Sequence, residues 1–229
     1  MFKVKAERVK YTDLSKIPPN YTDKMNREYN WMAKGYHVFM TVFPSWKKWI
    51  KSAIPHIEGN KILEVSFGNG FLMKQYASKE YEIHGIDYNE RMLDITRKKM
   101  EGTDVEAHLS RGNVEELPYP DNTFDTVINT MAFTGYPDGD KAMSELNRVL
   151  KPQGKLILVD FDYPVDRNIF GYYFVRLWEK FGDIIKDIKA LLEKYDFSYE
   201  SSSVGGFGSV QLFIAIKQED RIYPIWKGY

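Results

Sequence analysis

One stretch limits what this chain can fold into more than any other: Lys61-Ile62-Leu63-Glu64-Val65 runs directly into Ser66-Phe67-Gly68-Asn69-Gly70. An apolar strand meets a glycine turn, a helical pattern follows, and about twenty residues on a second apolar run ends at Asp87. This is the layout of a nucleotide-binding βαβ unit. The glycines let a ligand lie against bare backbone, and the acid closing the second strand is placed to hold two ribose hydroxyls. Glu64 argues against a dinucleotide, because a carboxylate beside a pyrophosphate is repelled. A ligand carrying an ammonium and a sulfonium is attracted instead. The residues therefore favour S-adenosylmethionine over NAD.

The rest of the pattern alternates strands with helices and predicts a parallel α/β sheet. Strands are expected at Lys61 to Val65, Tyr81 to Asp87, Val105 to Ser110, Thr123 to Thr130 and Lys155 to Phe161. Helices are expected from Gly70 to Lys79, from Asn89 (a good N-cap) to Met100, and from Asp138 to Leu150, where Pro152-Gln153-Gly154 ends the last. Phe197 to Val204 and Ser209 to Ile216, joined by Gly205-Gly206-Phe207-Gly208, read as a closing hairpin. Before the first strand, two helical patterns, Thr22 to Thr41 and Ser45 to His56, form a cap. The expected organisation is one domain: a helical cap over residues 1–58, a cofactor-binding core over 59–163, and substrate-side helices with the hairpin over 164–229.

These motifs together resemble the class I S-adenosylmethionine-dependent methyltransferases over most of the chain. Glu64, Gly68 and Gly70 match that family's acid-and-glycine loop, with Ser66 where its first glycine stands. Gly85-Ile86-Asp87-Tyr88 matches its ribose-binding strand end. Gly112-Asn113-Val114-Glu115-Glu116-Leu117-Pro118-Tyr119 matches its adenine loop, with Asn113 where aspartate is common. Phe124-Asp125-Thr126-Val127-Ile128 and Glu145-Leu146-Asn147-Arg148-Val149-Leu150-Lys151-Pro152-Gln153-Gly154-Lys155-Leu156 match its fourth strand and the segment leading into its fifth. The resemblance implies a Rossmann-like, mostly parallel seven-stranded sheet of order 3-2-1-4-5-7-6. It also implies a cofactor set of Tyr29, Glu64, Ser66, Gly68, Gly70, Asp87, Tyr88, Asn113, Val114 and Asn129, with S-adenosylhomocysteine as product. If Ser66 needs the left-handed backbone of the glycine it replaces, it costs roughly 1 kcal/mol.

Within the superfamily, Tyr29-Asn30-Trp31-Met32 and Trp46-Lys47-Lys48-Trp49 resemble the N-terminal pattern of quinone C-methyltransferases. The small-molecule and phospholipid N-methyltransferases share the central motifs equally. Asn129-Thr130-Met131-Ala132 stands where DNA adenine methyltransferases carry Asn-Pro-Pro-Tyr, which argues against that substrate. The expected acceptor is a small apolar or aromatic metabolite, quinone-like or lipid-like. A catalytically silent cofactor-binding sensor is the competing reading. The aromatic run Phe170, Tyr172, Tyr173, Phe174, Leu177, Trp178 and Phe181 reads either as a lid over the transferred methyl or as plain core packing.

Composition narrows the remaining classes. Thirty-two basic residues balance 32 acidic ones, so no electrostatic footprint for nucleic acid stands out. The absence of cysteine removes disulfides and thiol chemistry. No metal is expected: the four histidines lack paired ligand spacing, and Asp160 and Asp162 have no acid partner at Asn129. His84 and His108 fall in strands and read as structural, whereas His37, like Tyr29, is a candidate catalytic group. No signal peptide and no stretch long enough to span a membrane is expected, so the default location is the cytoplasm.

Overall fold

The computed structural model describes residues 3–5, 9–18, 20–32 and 44–219. Seven strands form one sheet in the order β3-β2-β1-β4-β5-β7-β6. They are β1 Lys61–Val65, β2 Glu82–Asp87, β3 Ala107–Arg111, β4 Phe124–Thr130, β5 Leu150–Phe161, β6 Phe197–Gly205 and β7 Val210–Lys217. Strands β1 to β5 pair in parallel, and β7 lies antiparallel to both β5 and β6. The helices are α1 Tyr21–Met32, α2 Pro44–Lys51, α3 Phe71–Tyr76, α4 Glu90–Glu101, α5 Gly139–Val149, α6 Ile169–Lys180 and α7 Ile188–Lys194.

Strand alternation divides the apolar side chains between two faces. Leu63 and Val65 point to the side where α5 and α7 supply Ala142, Met143, Leu146, Ile188 and Leu192. Ile62, and Glu64 with it, point to the other side, where α3, α4 and α6 supply Leu72, Met73, Tyr76, Leu93 and Val175. Helices α4, α5 and α7 each start on a side-chain cap. Asn89 accepts from the Met92 amide at 3.1 Å, Asp138 from Lys141 at 2.9 Å, and Asp187 from Ala190 at 3.0 Å.

Several boundaries differ from the sequence expectation, each for a local reason. Helix α3 stops at Tyr76 rather than Lys79, because Ala77 takes up extended backbone at ψ 123°. Strand β3 begins at Ala107, after a turn in which the Thr103 hydroxyl bonds the Met100 carbonyl at 2.7 Å. Strand β5 starts at Leu150: the turn at Gln153 (φ 62°) is absorbed as an irregularity in the ladder, between the pairs Phe124–Leu150 and Thr126–Lys155. Between β5 and β6 lie two helices, α6 and α7, separated by a break at Gly182, whose φ of 109° suits glycine. In the cap, α1 and α2 each begin one residue before the expected patterns, and residues 33–43 between them lie outside the described residues.

The strand order reverses between β1 and β4. Ligands of open α/β sheets bind in the crevice at the carboxyl ends of the strands at such a switch point. The register sets the level: Val65 lies opposite Ile86 on one side and Asn129 on the other. The ends of three adjacent strands therefore bring Glu64, Asp87 and Asn129 to one edge.

Candidate active site

A cleft opens at that edge. Its floor is Glu64, Ser66, Phe67 and Gly68 from the first turn with Asp87 and Tyr88 after β2, and its side wall is Asn113 and Val114. Thr130, Met131 and Tyr136 close it behind β4, while Met25, Asn26, Trp46 and Ile50 cover it from the cap helices α1 and α2. The cap is tied down by the Asn89 side chain, which donates to Asn26 Oδ1 at 2.7 Å, and by the Tyr21 hydroxyl, which donates to the Gly182 carbonyl at 2.7 Å.

Glu64 is buried beneath this floor, and its Oε2 has no hydrogen bond of good geometry among the described residues; the Tyr76 hydroxyl lies beside the carboxyl, near enough to favour its charge but not in a well-formed bond. Burial pushes the Glu64 carboxyl up to about 8; the Tyr76 hydroxyl opposes the rise and the charge of Asp87 adds to it. Asp87 is better satisfied. Its Oδ2 accepts from the Gly68 amide at 2.8 Å and its Oδ1 from the Asn89 amide at 2.8 Å. Burial still raises its carboxyl to about 6, with those two amides holding it down. Each oxygen keeps a further acceptor position.

The glycine turn is built for contact with a ligand. A side chain on Gly68 (φ 54°) would meet nothing within 4 Å, so the missing Cβ leaves open space over the backbone. Gly70 (φ 64°) is different: a Cβ there would fall 2.5 Å from Thr96 Cγ2, so this glycine serves helix packing. The Thr96 hydroxyl fixes the turn by donating to the Gly68 carbonyl at 2.9 Å. Ser66 does sit in the left-handed region, at φ 52°. Its compensation is a 2.7 Å hydrogen bond between its hydroxyl and that of Tyr136.

Tyr136 is the residue that the sequence reading missed. Its hydroxyl also accepts from Asn129 Nδ2 at 2.6 Å, joining β1 and β4 across the cleft floor. Asn129 itself is fully buried with Oδ1 unpartnered among the described residues, and it meets the cleft through this tyrosine. Burial raises the phenol well above its ordinary value. The turn before Tyr136 is anchored by Thr134, whose amide donates to Asp160 Oδ2 at 3.2 Å and whose hydroxyl lies 3.0 Å from Asp160 Oδ1 and 2.9 Å from Asp183 Oδ1. The only sequence signal was an aromatic two residues before the helix cap Asp138.

The segment around Glu145 and Arg148, noticed only as a family signature, has a structural task. Arg148 donates to the Leu117 and Tyr119 carbonyls at 3.0 and 2.7 Å, and Glu145 accepts from the Leu117 amide at 2.7 Å. The loop carrying Asn113 and Val114 is thereby clamped to α5. Asn113 accepts from the Glu115 amide at 3.0 Å, and Val114 is buried against the core.

Other expectations fare differently. The aromatic run of α6 does not line the cleft: Trp178 stacks on Phe161 at 5.1 Å, Phe174 packs beside them, and Phe170, Tyr173, Leu177 and Phe181 face solvent. Helical spacing splits the run between core and surface and leaves no ring to close over the site. Asp160 and Asp162 bond to Thr134 and to the Tyr163 amide, and no cluster of three or more histidines and acids among the described residues is arranged to hold a metal. His84 and His108 are cross-strand neighbours with rings 4.9 Å apart. The side chain of Tyr29 and the whole of His37 lie outside the described residues. No helix among the described residues is long and apolar enough to cross a membrane.

Comparison with known proteins agrees with this geometry. The family described as "Methyltransferase domain" matches residues 63–158. The ubiquinone/menaquinone biosynthesis C-methyltransferase of a Shewanella species (strain ANA-3) is 30% identical over 179 residues, covering 74% of this chain and 67% of that protein. Among solved structures, a possible histamine N-methyltransferase from Thermotoga maritima superposes with a TM-score of 0.67 at 17% identity, covering 86% of this chain and 100% of that one. A geranyl diphosphate methyltransferase, solved with geranyl diphosphate and sinefungin, gives 0.60 at 14% identity over 73% and 75%. At such identities these two likenesses speak to the fold alone.

Proposed function

Since the chain belongs to the class I S-adenosylmethionine-dependent methyltransferases, we propose that it methylates a small apolar acceptor with an aromatic, quinone-like head. The observation that carries the cofactor half is the buried, unpartnered Glu64 Oε2 beside the open backbone of Gly68. A buried acceptor without a donor is costly unless a ligand supplies one. An ammonium-bearing ligand suits it.

When bound, S-adenosylmethionine supplies a methyl group activated on a sulfonium. The chain's part is to hold, orient and dry the site. In this reading Glu64 receives the ammonium, and Asp87 uses its free acceptor positions for the ribose hydroxyls while its bonds to Gly68 and Asn89 keep it in place. Asn113 and Val114 flank the adenine, with Tyr88 beside the ribose edge. Tyr136, braced by Ser66 and Asn129, walls the end where β1 and β4 part. Met25, Trp46, Ile50, Phe71 and Met131 give the remainder of the cleft an apolar surface that suits an apolar acceptor and excludes water. The quinone-like head rests on the 30% identity to the Shewanella protein.

Two measurements test the reading. Asp87→Ala should weaken S-adenosylhomocysteine binding by roughly 1.5–3 kcal/mol, the worth of hydrogen bonds to a charged group, and calorimetry showing unchanged affinity would remove Asp87 from the site. Incubation with S-adenosylmethionine and prenylated quinols lacking the methyl group should yield methylated quinol by mass spectrometry. Methylation of amines with none of quinols would move the acceptor to the N-methyltransferase class. Tight cofactor binding without turnover on either would favour a sensor.

A further inference from the structure

The outer face of α6 carries a stripe that the cleft does not use. Phe170, Tyr173, Leu177 and Phe181 recur at helical spacing, and Val165 and Phe207 extend the stripe, each between 47% and 68% exposed. The rings of Phe170 and Phe207 are 5.9 Å apart, so the hairpin tip and the helix form one surface. Phe207 is held outward in the left-handed region, at φ 57°, between Gly206 and Gly208. A bulky residue in that conformation is strained, and its ring packs beside Phe170 and Phe174 while remaining mostly exposed.

Among the described residues, the charges around the stripe have one prevailing sign. Arg176 and Lys180 flank it on the helix, and Arg167 stands at its start. Lys3 and Lys5 are exposed beside them, because the Val4 amide bonds the Arg167 carbonyl at 2.8 Å and Lys3 bridges Asn168. Against these stand Asp166 and Glu179, the latter bound to Arg176 at 2.6 Å. This face is positive in a chain whose net charge is zero.

We infer that the α6 face docks on the surface of an anionic lipid bilayer, with its rings among the acyl chains and its lysines and arginines at the headgroups. Apolar rings on one side of a helix with cations along their border are the attributes of a helix lying in the interface plane. The stripe also leads to the cleft. Phe181 adjoins Gly182, which is bonded to Tyr21 of the cap helix, and Met25 on that same helix lines the cleft. Docking in this pose brings the cleft mouth beside the bilayer, the reservoir of an apolar acceptor. The docking itself does not depend on which acceptor is methylated.

Flotation of the whole 229-residue chain with mixed phosphatidylcholine–phosphatidylglycerol vesicles tests this without any activity assay. The wild type should float with these vesicles, less with pure phosphatidylcholine, and less as salt rises. The triple variant Phe170→Ser/Leu177→Ser/Phe181→Ser should bind at least about tenfold more weakly while S-adenosylhomocysteine affinity is unchanged. Arg167→Glu/Lys180→Glu, which leaves every ring in place, should lose the preference for anionic vesicles. No flotation of the wild type, or equal flotation of the triple variant, overturns the proposal. A wild-type dimer without vesicle binding, dissolved by the triple variant in sedimentation, overturns it too and assigns the face to self-association.

Discussion

At the floor of the cleft, Glu64 Oε2 and Asn129 Oδ1 are buried with no described partner, while on α6 the rings of Phe170, Tyr173 and Phe181 stand in solvent. The two regions depart from an ordinary folded surface in opposite senses. One withholds water from polar atoms, and the other offers water to apolar rings. Each arrangement costs folding free energy that the rest of the sheet must offset, since buried polar atoms normally find partners and large apolar patches are normally covered. The difference lies in what satisfies each: a small charged ligand fits the first, and an extended apolar phase fits the second.

The sharpest way to break this comparison is within α6 itself. Trp178, stacked on Phe161 and 5.9 Å from Trp46, should cost about 3–5 kcal/mol of stability when replaced by alanine. Tyr173→Ala, on the opposite face, should cost less than about 0.5 kcal/mol. Thermal melts of both variants check the division, and equal losses would mean that the outer rings are core after all.

Next in size is the pH response of the floor. Glu64 at about 8 and Asp87 at about 6 hold their protons more tightly in the folded, ligand-free protein than in the unfolded chain. Their contribution to stability is therefore complete below the ordinary carboxylate range and is lost as pH rises through those values, so the ligand-free melting temperature should fall between about pH 5 and 8. A cationic ligand needs Glu64 ionised. Its affinity should rise by up to about tenfold per pH unit on approaching pH 8, with proton release on binding. Calorimetry in buffers of different ionisation heat measures that release. Glu64→Gln should flatten the profile.

The smallest effect belongs to the brace between strands. Tyr136→Phe leaves Asn129 Nδ2 and the Ser66 hydroxyl without their shared partner, at a cost of about 1–3 kcal/mol. Because the ring stays, S-adenosylhomocysteine affinity should change less than stability does. A titration run beside a denaturant melt reads both, and a variant as stable as the wild type would show that the hydroxyl bridge is idle.

The parallel core and the places of Glu64, Gly68 and Asp87 were legible in the chain, because each depends on short-range rules, whereas the sheet order and the place of Asn113 came only from the family resemblance. Strand alternation, glycine turns and strand-ending acids act within a few residues, and the family's spacing places them in sequence. The positive φ at Ser66 was one of two outcomes its place in the turn left open, and the structure has it. What only the tertiary structure decided was how distant segments meet. Tyr136 reaches Ser66 across a separation of 70 residues, and Arg148 clamps a loop about thirty residues before it; neither pairing leaves a local pattern. The aromatic run of α6 shows the same limit from the other side. Its helical period was plain, but which face meets the sheet is set by Phe161 and Trp46, and that contact turned half of the rings into core and left the other half for something outside the chain.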